Sequence, residues 1–121
     1  MAEQKSVLLV NRHPPYGSNM GRDALDVALT CGIFDLPVSL LFLGDGLYQL
    51  LESQTPAGIE QKSLQSLLSA LPMYDINQLY VCAEELAERG LNCDQLFAEV
   101  KVIKATQLPA LFQQHTTVLS F

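Results

Sequence analysis

The chain has 121 residues, of which 49% are hydrophobic and only 17% are charged, and its formal net charge is −6. This length predicts one domain over residues 1–121 with a core large enough to need no disulfide or metal. The seven Lys and Arg residues form no basic cluster, so we expect no direct binding of nucleic acid through phosphate contacts. A small domain so poor in charge is expected to cover part of its apolar surface with a partner.

The amino-terminal residues lack the features of an export or membrane segment. Only residues 7–10 form an apolar run before Asn11, which is too short for a signal peptide or a membrane span. We therefore expect a cytoplasmic protein without membrane contact, in which all three cysteines are reduced. Cys31, Cys82 and Cys93 have no CxxC spacing and no adjacent histidine, so no metal site is expected, and no cofactor either.

The first third of the chain is predicted to form strand, helix and strand. Residues 6–10 are a continuous apolar run, typical of a strand buried on both faces, and residues 38–43 repeat that pattern. Between them, a loop at 11–20 leads into a helix predicted over about 21–31 and ended by Gly32. The apolar stripe of this helix consists of Ala24, Leu25, Ala28 and Leu29.

The middle third carries the turn residues and the clearest amphipathic pattern. Residues 44–46 (Gly-Asp-Gly) predict a turn at the carboxyl end of the second strand, followed by a short helix at 47–51 and a polar loop at 52–58. A helix is predicted over about 59–71, with Pro72 as its stop signal. Its apolar residues at i, i+3, i+4 and i+7 are Leu64, Leu67, Leu68 and Leu71.

The last third continues the alternation of strands and helices. In order, the predicted elements are a strand at 79–81, a helix at 83–89, a half-exposed edge strand at 98–103, a helix capped by Thr106, and a strand at 117–121. Strands that alternate with helices predict an α/β fold, with a parallel sheet covered by helices on both faces.

Cys82 is the candidate catalytic residue because it lies where the third strand meets a helix. Unpaired backbone N–H groups and the helix dipole at such a junction stabilise a thiolate, which is the nucleophilic form of cysteine. The alternative is that Cys82 is a small buried apolar residue that ends the strand. Glu84 and Glu85, in the first helical turn, oppose the effect of the dipole on the thiol.

Other candidate sites are weaker. The loop ending at Gly21 lacks the Lys and Ser or Thr of a phosphate-binding P-loop, and Gln49 stands where a dinucleotide motif needs its third glycine. We interpret His13 as a solvated loop residue and His115 as a structural residue near the end of the last helix. Asp45 and Tyr48 could line the same crevice, although a turn aspartate and a helix-packing tyrosine explain them equally well.

Several motifs occur together in a specific order along nearly the whole chain. They are Pro15-Tyr16-Gly17, Gly21-Arg22-Asp23-Ala24-Leu25-Asp26, Asp45-Gly46-Leu47-Tyr48-Gln49-Leu50-Leu51, Met73-Tyr74-Asp75-Ile76 and Tyr80-Val81-Cys82-Ala83, then Leu86 and Glu88-Arg89-Gly90-Leu91. This combination resembles the DsrF-like members of the DsrE/DsrF/DsrH (TusBCD) sulfur-relay family. The resemblance implies a three-layer α/β/α fold with five parallel strands in the order 4-3-2-1-5.

The resemblance also implies partners and a pathway. It implies a heterohexamer with TusB-like and TusD-like subunits, which receives persulfide sulfur from one carrier protein and passes it to another. The sulfur then ends in 2-thiouridine at the tRNA wobble position or, in the Dsr version, serves dissimilatory sulfur oxidation. Cys82 falls where the D-type subunit of the family carries its sulfur-accepting cysteine. Two roles therefore stay open for this chain: a persulfide-carrying sulfurtransferase subunit and a non-catalytic architectural subunit.

Overall fold

The structure is a computed structural model that describes residues 6–13, 20–50, 68–74, 76, 78–92, 96 and 100–121. Side chains are described within those ranges except at residues 20–22. The predicted polar loop at 52–58, most of the predicted helix at 59–71 and Cys93 lie outside the described residues, as does most of the loop before Gly21.

Five strands form one parallel sheet in the order β4-β3-β2-β1-β5. They are β1 (Val7–Asn11), β2 (Val38–Phe42), β3 (Gln78–Cys82), β4 (Lys101–Ile103) and β5 (Thr117–Ser120). The predicted α/β fold with a five-stranded parallel sheet is confirmed. The strand order also agrees with the order that the family resemblance implied.

Besides residues 68–70, which are also helical, three α-helices and three 3-10 helices connect the strands in the described part of the chain. The α-helices are α1 (Met20–Ile33), α2 (Ala83–Glu88) and α3 (Leu108–Gln113), and the 3-10 helices span Gly44–Leu50, Leu71–Tyr74 and Ala105–Gln107. The sequence prediction of a turn followed by a short helix at 47–51 is thus corrected to one continuous 3-10 helix from Gly44.

The end of α1 differs from the prediction that Gly32 stops it. Gly32 is helical, and its missing side chain allows close packing, since a Cβ there would lie 3.3 Å from both Tyr74 Cβ and Ile76 Cδ1. The helix ends at Ile33, and the chain reverses at Asp35, whose φ of 57° is left-handed. The N–H of Asp35 donates to Gly32 O and that of Leu36 donates to Cys31 O, which is the Schellman pattern.

The α-helical residues before Pro72 end at 70, close to the predicted end at 71, and the chain continues through Pro72 as the 3-10 helix Leu71–Tyr74. The prediction for the last helix is wrong, because Thr106 does not cap it. Instead, the Gln107 side chain accepts a hydrogen bond from the Lys104 N–H at 2.8 Å.

The central strands β1 and β2 are buried on both faces, as their continuous apolar runs predicted. One core cluster contains Leu9, Leu40 and Val81 with side chains of α1 and α2, and the other contains Leu8, Val10, Leu41, Leu43, Cys82 and Leu111. Alternate residues of each strand therefore supply opposite clusters. The side chains of Ala24, Leu25 and Ala28 on α1 are buried, which confirms its predicted apolar stripe.

Both edges of the sheet carry exposed apolar residues. Among the described residues β4 lies at one end of the strand order and pairs with β3, which confirms the predicted half-exposed edge strand, and Val102 is half-exposed. In the same part of the chain β5 lies at the other end, pairs with β1 and exposes Val118 and Leu119.

Candidate functional site

Cys82 is the last residue of β3 and the residue that precedes α2, as the sequence predicted. Its side chain is 1% exposed and belongs to the core cluster with Leu8, Val10 and Leu41. The helix that follows has only six residues, and the Cys82 side chain makes no capping hydrogen bond. The junction geometry is therefore the predicted one, whereas the sulfur atom is closed off from solvent in this chain.

Glu84 is the polar group that the Cys82 thiol contacts. The sulfur lies 3.8 Å from Glu84 Oε1, so the thiol donates a long hydrogen bond to a carboxylate. The same carboxylate accepts the Ala105 N–H with both oxygens, at 3.1 and 3.0 Å. Glu84 thereby links the start of α2 to the 3-10 helix that precedes α3. A thiolate formed at Cys82 would face this negative charge across a short distance.

Glu85 of α2 and Arg89, the residue that follows α2, contact the turn after β2. Glu85 Oε2 accepts the N–H of Gly44 at 2.7 Å, which is a charge-assisted hydrogen bond. Arg89 Nη2 lies 3.6 Å from Asp45 Oδ1, with the guanidinium side chain mostly buried. Two of the predicted sites, Asp45 and the Cys82 junction, are therefore connected through α2. The contacts that connect them are the hydrogen bond from Gly44 to Glu85 and the ion pair between Arg89 and Asp45.

The end of β1 lies against the same turn. Asn11 O accepts the N–H of Leu43 at 2.9 Å, and a Cβ on Gly46 would lie only 2.1 Å from this carbonyl oxygen. Gln49 Nε2 donates to His13 O at 2.8 Å and fixes the chain after β1. The carboxyl ends of β1, β2 and β3 are thus joined, as expected for the edge where parallel sheets carry their functional groups.

Asn11 and Gln49 are the buried polar residues of this edge, and neither was predicted from sequence to have a role at the site. Each is 1% exposed, and the oxygens Asn11 Oδ1 and Gln49 Oε1 have no hydrogen-bond partner among the described residues. Burying such a group without a donor costs free energy. No sequence signal marked them, because an Asn before a loop and a Gln among leucines are ordinary surface patterns.

The two histidines have the roles that the sequence indicated. His13 is exposed in the chain after β1. His115 is structural: Nδ1 lies 2.8 Å from Leu111 O, and Nε2 lies 3.0 Å from the Ser39 hydroxyl. His115 therefore ties the end of α3 to β2, away from Cys82.

Cys31 is the second described cysteine, and it is more exposed than Cys82. Burial raises the pKa of the Cys31 thiol, so less of it is ionised at neutral pH than in a free cysteine. Within the described ranges, no group of three His, Cys, Asp or Glu side chains is arranged to bind a metal. No helix in that part of the chain is long and apolar enough to span a membrane.

The fold and the cysteine at the strand–helix junction define a class of small α/β proteins, and sequence comparison assigns the family. The chain belongs to the DsrE/DsrF-like family, whose sequence profile matches residues 5–121. It is 44% identical to a protein named TusC homolog from Pseudomonas aeruginosa, over 96% of this chain and 98% of the relative. It is 32% identical to Protein TusC of Buchnera aphidicola, over 97% of this chain and 99% of that relative.

A solved structure supports the same fold. The crystal structure of the ychN protein from E. coli superposes with a TM-score of 0.77, covering 97% of this chain and 99% of that chain. Sequence identity to it is only 21%, so this similarity bears on the fold alone.

Proposed function

We propose that this chain is the TusC-type subunit of a TusBCD sulfur-relay complex, acting in the cytoplasm on the route to tRNA 2-thiolation. The observation that carries the proposal is the 44% identity to a TusC homolog across almost the full length of both chains. As a single domain over residues 1–121, the chain assembles with TusB-like and TusD-like subunits into a heterohexamer. That complex receives sulfur from an upstream carrier protein and passes it to a downstream one.

Within this complex, the proposed role of the chain is architectural. A persulfide adds a sulfur atom to the cysteine, and the Cys82 side chain is 1% exposed in a leucine-rich cluster, whose close packing opposes a larger group. Its nearest polar partner is the Glu84 carboxylate at 3.8 Å, which repels the negative charge of a thiolate or persulfide. Packing and charge at Cys82 thus both favour a structural thiol.

The carrier role is the second candidate, and the position of Cys82 is the observation that favours it. The residue lies at the carboxyl end of β3, directly before α2. A movement of α2 that exposed the sulfur would make exchange with an incoming persulfide possible. The two roles differ in whether the thiol itself is needed.

The proposed heterohexamer can be tested by co-expressing its subunits and measuring their assembly. Co-expressed with TusB-like and TusD-like subunits, the chain should give one hexameric species in sedimentation, because its charged residues are only 17% of the sequence and its sheet edges expose apolar side chains. Expressed alone, it should self-associate. A chain that stays monomeric and binds neither partner would contradict the proposal.

The −6 charge predicts no binding of tRNA by the isolated chain at physiological salt.

Replacement of Cys82 by Ser separates the two roles. The hexamer carrying Cys82→Ser should pass sulfur to the downstream carrier at the wild-type rate, because Ser retains the volume needed by the core cluster and the hydroxyl can donate to Glu84. The measurement is transfer of radiolabelled sulfur, with the hexamer lacking the cysteine of the TusD-like subunit as the inactive control. A loss as large as in that control would make Cys82 a carrier.

A further inference from the structure

An apolar surface lies at the amino end of the sheet, opposite the edge that carries Cys82. It is formed where the end of α1 meets the 3-10 helix before β3. Its exposed side chains are Ile33 (68%), Phe34 (72%), Leu36 (36%), Met73 (84%) and Tyr74 (44%). We call these five residues the amino-end patch. Contiguous exposed apolar side chains of this number mark an interaction surface more often than a monomer's ordinary surface.

The two halves of the amino-end patch are packed against each other. The space for a Cβ on Gly32 lies 3.3 Å from Tyr74 Cβ, so α1 and the 3-10 helix are in direct contact. Between them is a cavity of ≈ 290 Å³, open to solvent, lined by Gly32, Asp35, Leu36, Pro37, Tyr74 and Ile76. The patch is therefore continuous and contains a recess that a side chain from another molecule can enter.

Asp35 is the charged residue among the described ones that line this recess, and its charge is placed unfavourably. Its backbone has φ 57°, a left-handed conformation that aspartate adopts more readily than most residues with a Cβ. Its carboxylate follows the carboxyl end of the 14-residue α1, where the dipole disfavours a negative charge, and the last turn of that helix has no basic residue. Among the described residues, no cation forms an ion pair with Asp35. A cation supplied by a partner would therefore be stabilised beside this carboxylate.

We propose that the amino-end patch is the surface by which this chain binds a different subunit of the relay complex, and that this subunit inserts a Lys or Arg side chain beside Asp35. The proposal rests on the proposed function. An inserted cation would pair with the carboxylate and, in the case of Arg, could stack on the Tyr74 ring at the side of the recess. The surrounding apolar side chains exclude water and strengthen that ion pair.

A second copy of this chain fits the surface less well than a different subunit. Two copies related by a two-fold axis would present the same Asp35 to each other, with no cation from the described patch to pair with either carboxylate. Each copy also carries a formal net charge of −6, so long-range repulsion opposes their approach. A different subunit with a basic residue in an apolar surface supplies the missing cation and is not a second copy of this negatively charged chain.

The test is Asp35→Asn, with Asp23→Asn as the matched control. Both variants remove one carboxylate from the region of α1, but Asp23 is in its first turn, where the dipole favours a negative charge. Asp35→Asn should raise the melting temperature of the isolated chain by about 1–4 °C and weaken assembly with the TusB-like and TusD-like subunits about 10-fold or more. Asp23→Asn should lower the melting temperature slightly and leave assembly unchanged.

The outcomes are distinguishable. Equal assembly of the wild-type chain and Asp35→Asn would overturn the proposed surface while leaving the proposed function intact. Loss of self-association by Phe34→Ser, with normal assembly into the hexamer, would show that the patch binds a second copy and would also overturn it. Failure of the wild-type chain itself to assemble would remove the proposed function, and this inference with it. Phe34→Ser, at an exposed position, should weaken assembly in the same way as Asp35→Asn.

Discussion

Replacing Gly46 with Ala should destabilise this protein by about 3 kcal/mol or more, measured as the loss in the free energy of unfolding. The added Cβ would lie 2.1 Å from Asn11 O and 2.7 Å from Asn11 C, distances that no Cβ tolerates. The carbonyl cannot easily move aside, because it accepts the Leu43 N–H that joins the ends of β1 and β2. Either this bond or the 3-10 helix Gly44–Leu50 has to give way.

Gly90→Ala is the matched control, because it isolates backbone conformation from space. Gly90 has φ 65°, and no described atom lies within 4 Å of the position that a Cβ would take, so alanine there costs only the conformational penalty of about 1 kcal/mol. Urea unfolding of both variants should therefore give a clearly larger loss for Gly46→Ala. Equal losses would mean that the carboxyl edge can relax, and that its joined strand ends are not rigid.

Replacing Cys82 with Asp should also cost about 3 kcal/mol or more, relative to wild type, because it places an anion in a closed apolar cluster. The side chain is 1% exposed, and the Glu84 carboxylate is the polar group beside it. Cys82→Ala is the control, and removal of one sulfur atom from the cluster should cost only about 1 kcal/mol. Thermal or urea unfolding of the two variants gives the comparison.

The difference between these variants bears on the role of the chain, because a persulfide is anionic as well as larger than a thiol. A large gap between Cys82→Asp and Cys82→Ala would mean that the closed junction rejects charge, in agreement with an architectural subunit. Nearly equal stabilities would show that solvent reaches the site, and the carrier role would then become the better description. The relay measurement on Cys82→Ser is independent of this result, since it reports transfer rather than folding.

The sequence determined the fold because the patterns that specify strands and helices are local and recur along the chain. The continuous apolar runs of β1 and β2 require burial on both faces. The apolar stripe of Ala24, Leu25 and Ala28 gives α1 one face that packs against the sheet. With helices between strands, chain connectivity leads to a parallel sheet. The place of Cys82 at the end of β3 was likewise predictable, since it depends only on where the apolar run stops and the helical pattern begins.

Only the tertiary structure decided what surrounds that cysteine. The sequence showed that Glu84 and Glu85 oppose the dipole, but not that they bind the N–H groups of Ala105 and Gly44. Their partners lie 21 and 41 residues away along the chain, and become neighbours only when the strands pair. The burial of the sulfur also depends on side chains from β1 and β2.

The end of α1 shows the same division. From local propensity, Gly32 was the better stop signal, because glycine enters a left-handed position more readily than aspartate and carries no charge at the negative end of a helix. In the folded chain Gly32 packs inside the helix against Tyr74 and Ile76, and the reversal falls on Asp35. Local pattern therefore specified the elements, whereas contacts between distant elements set their ends and the charge of the surface they expose, because a contact between residues far apart in sequence exists only once the chain has folded.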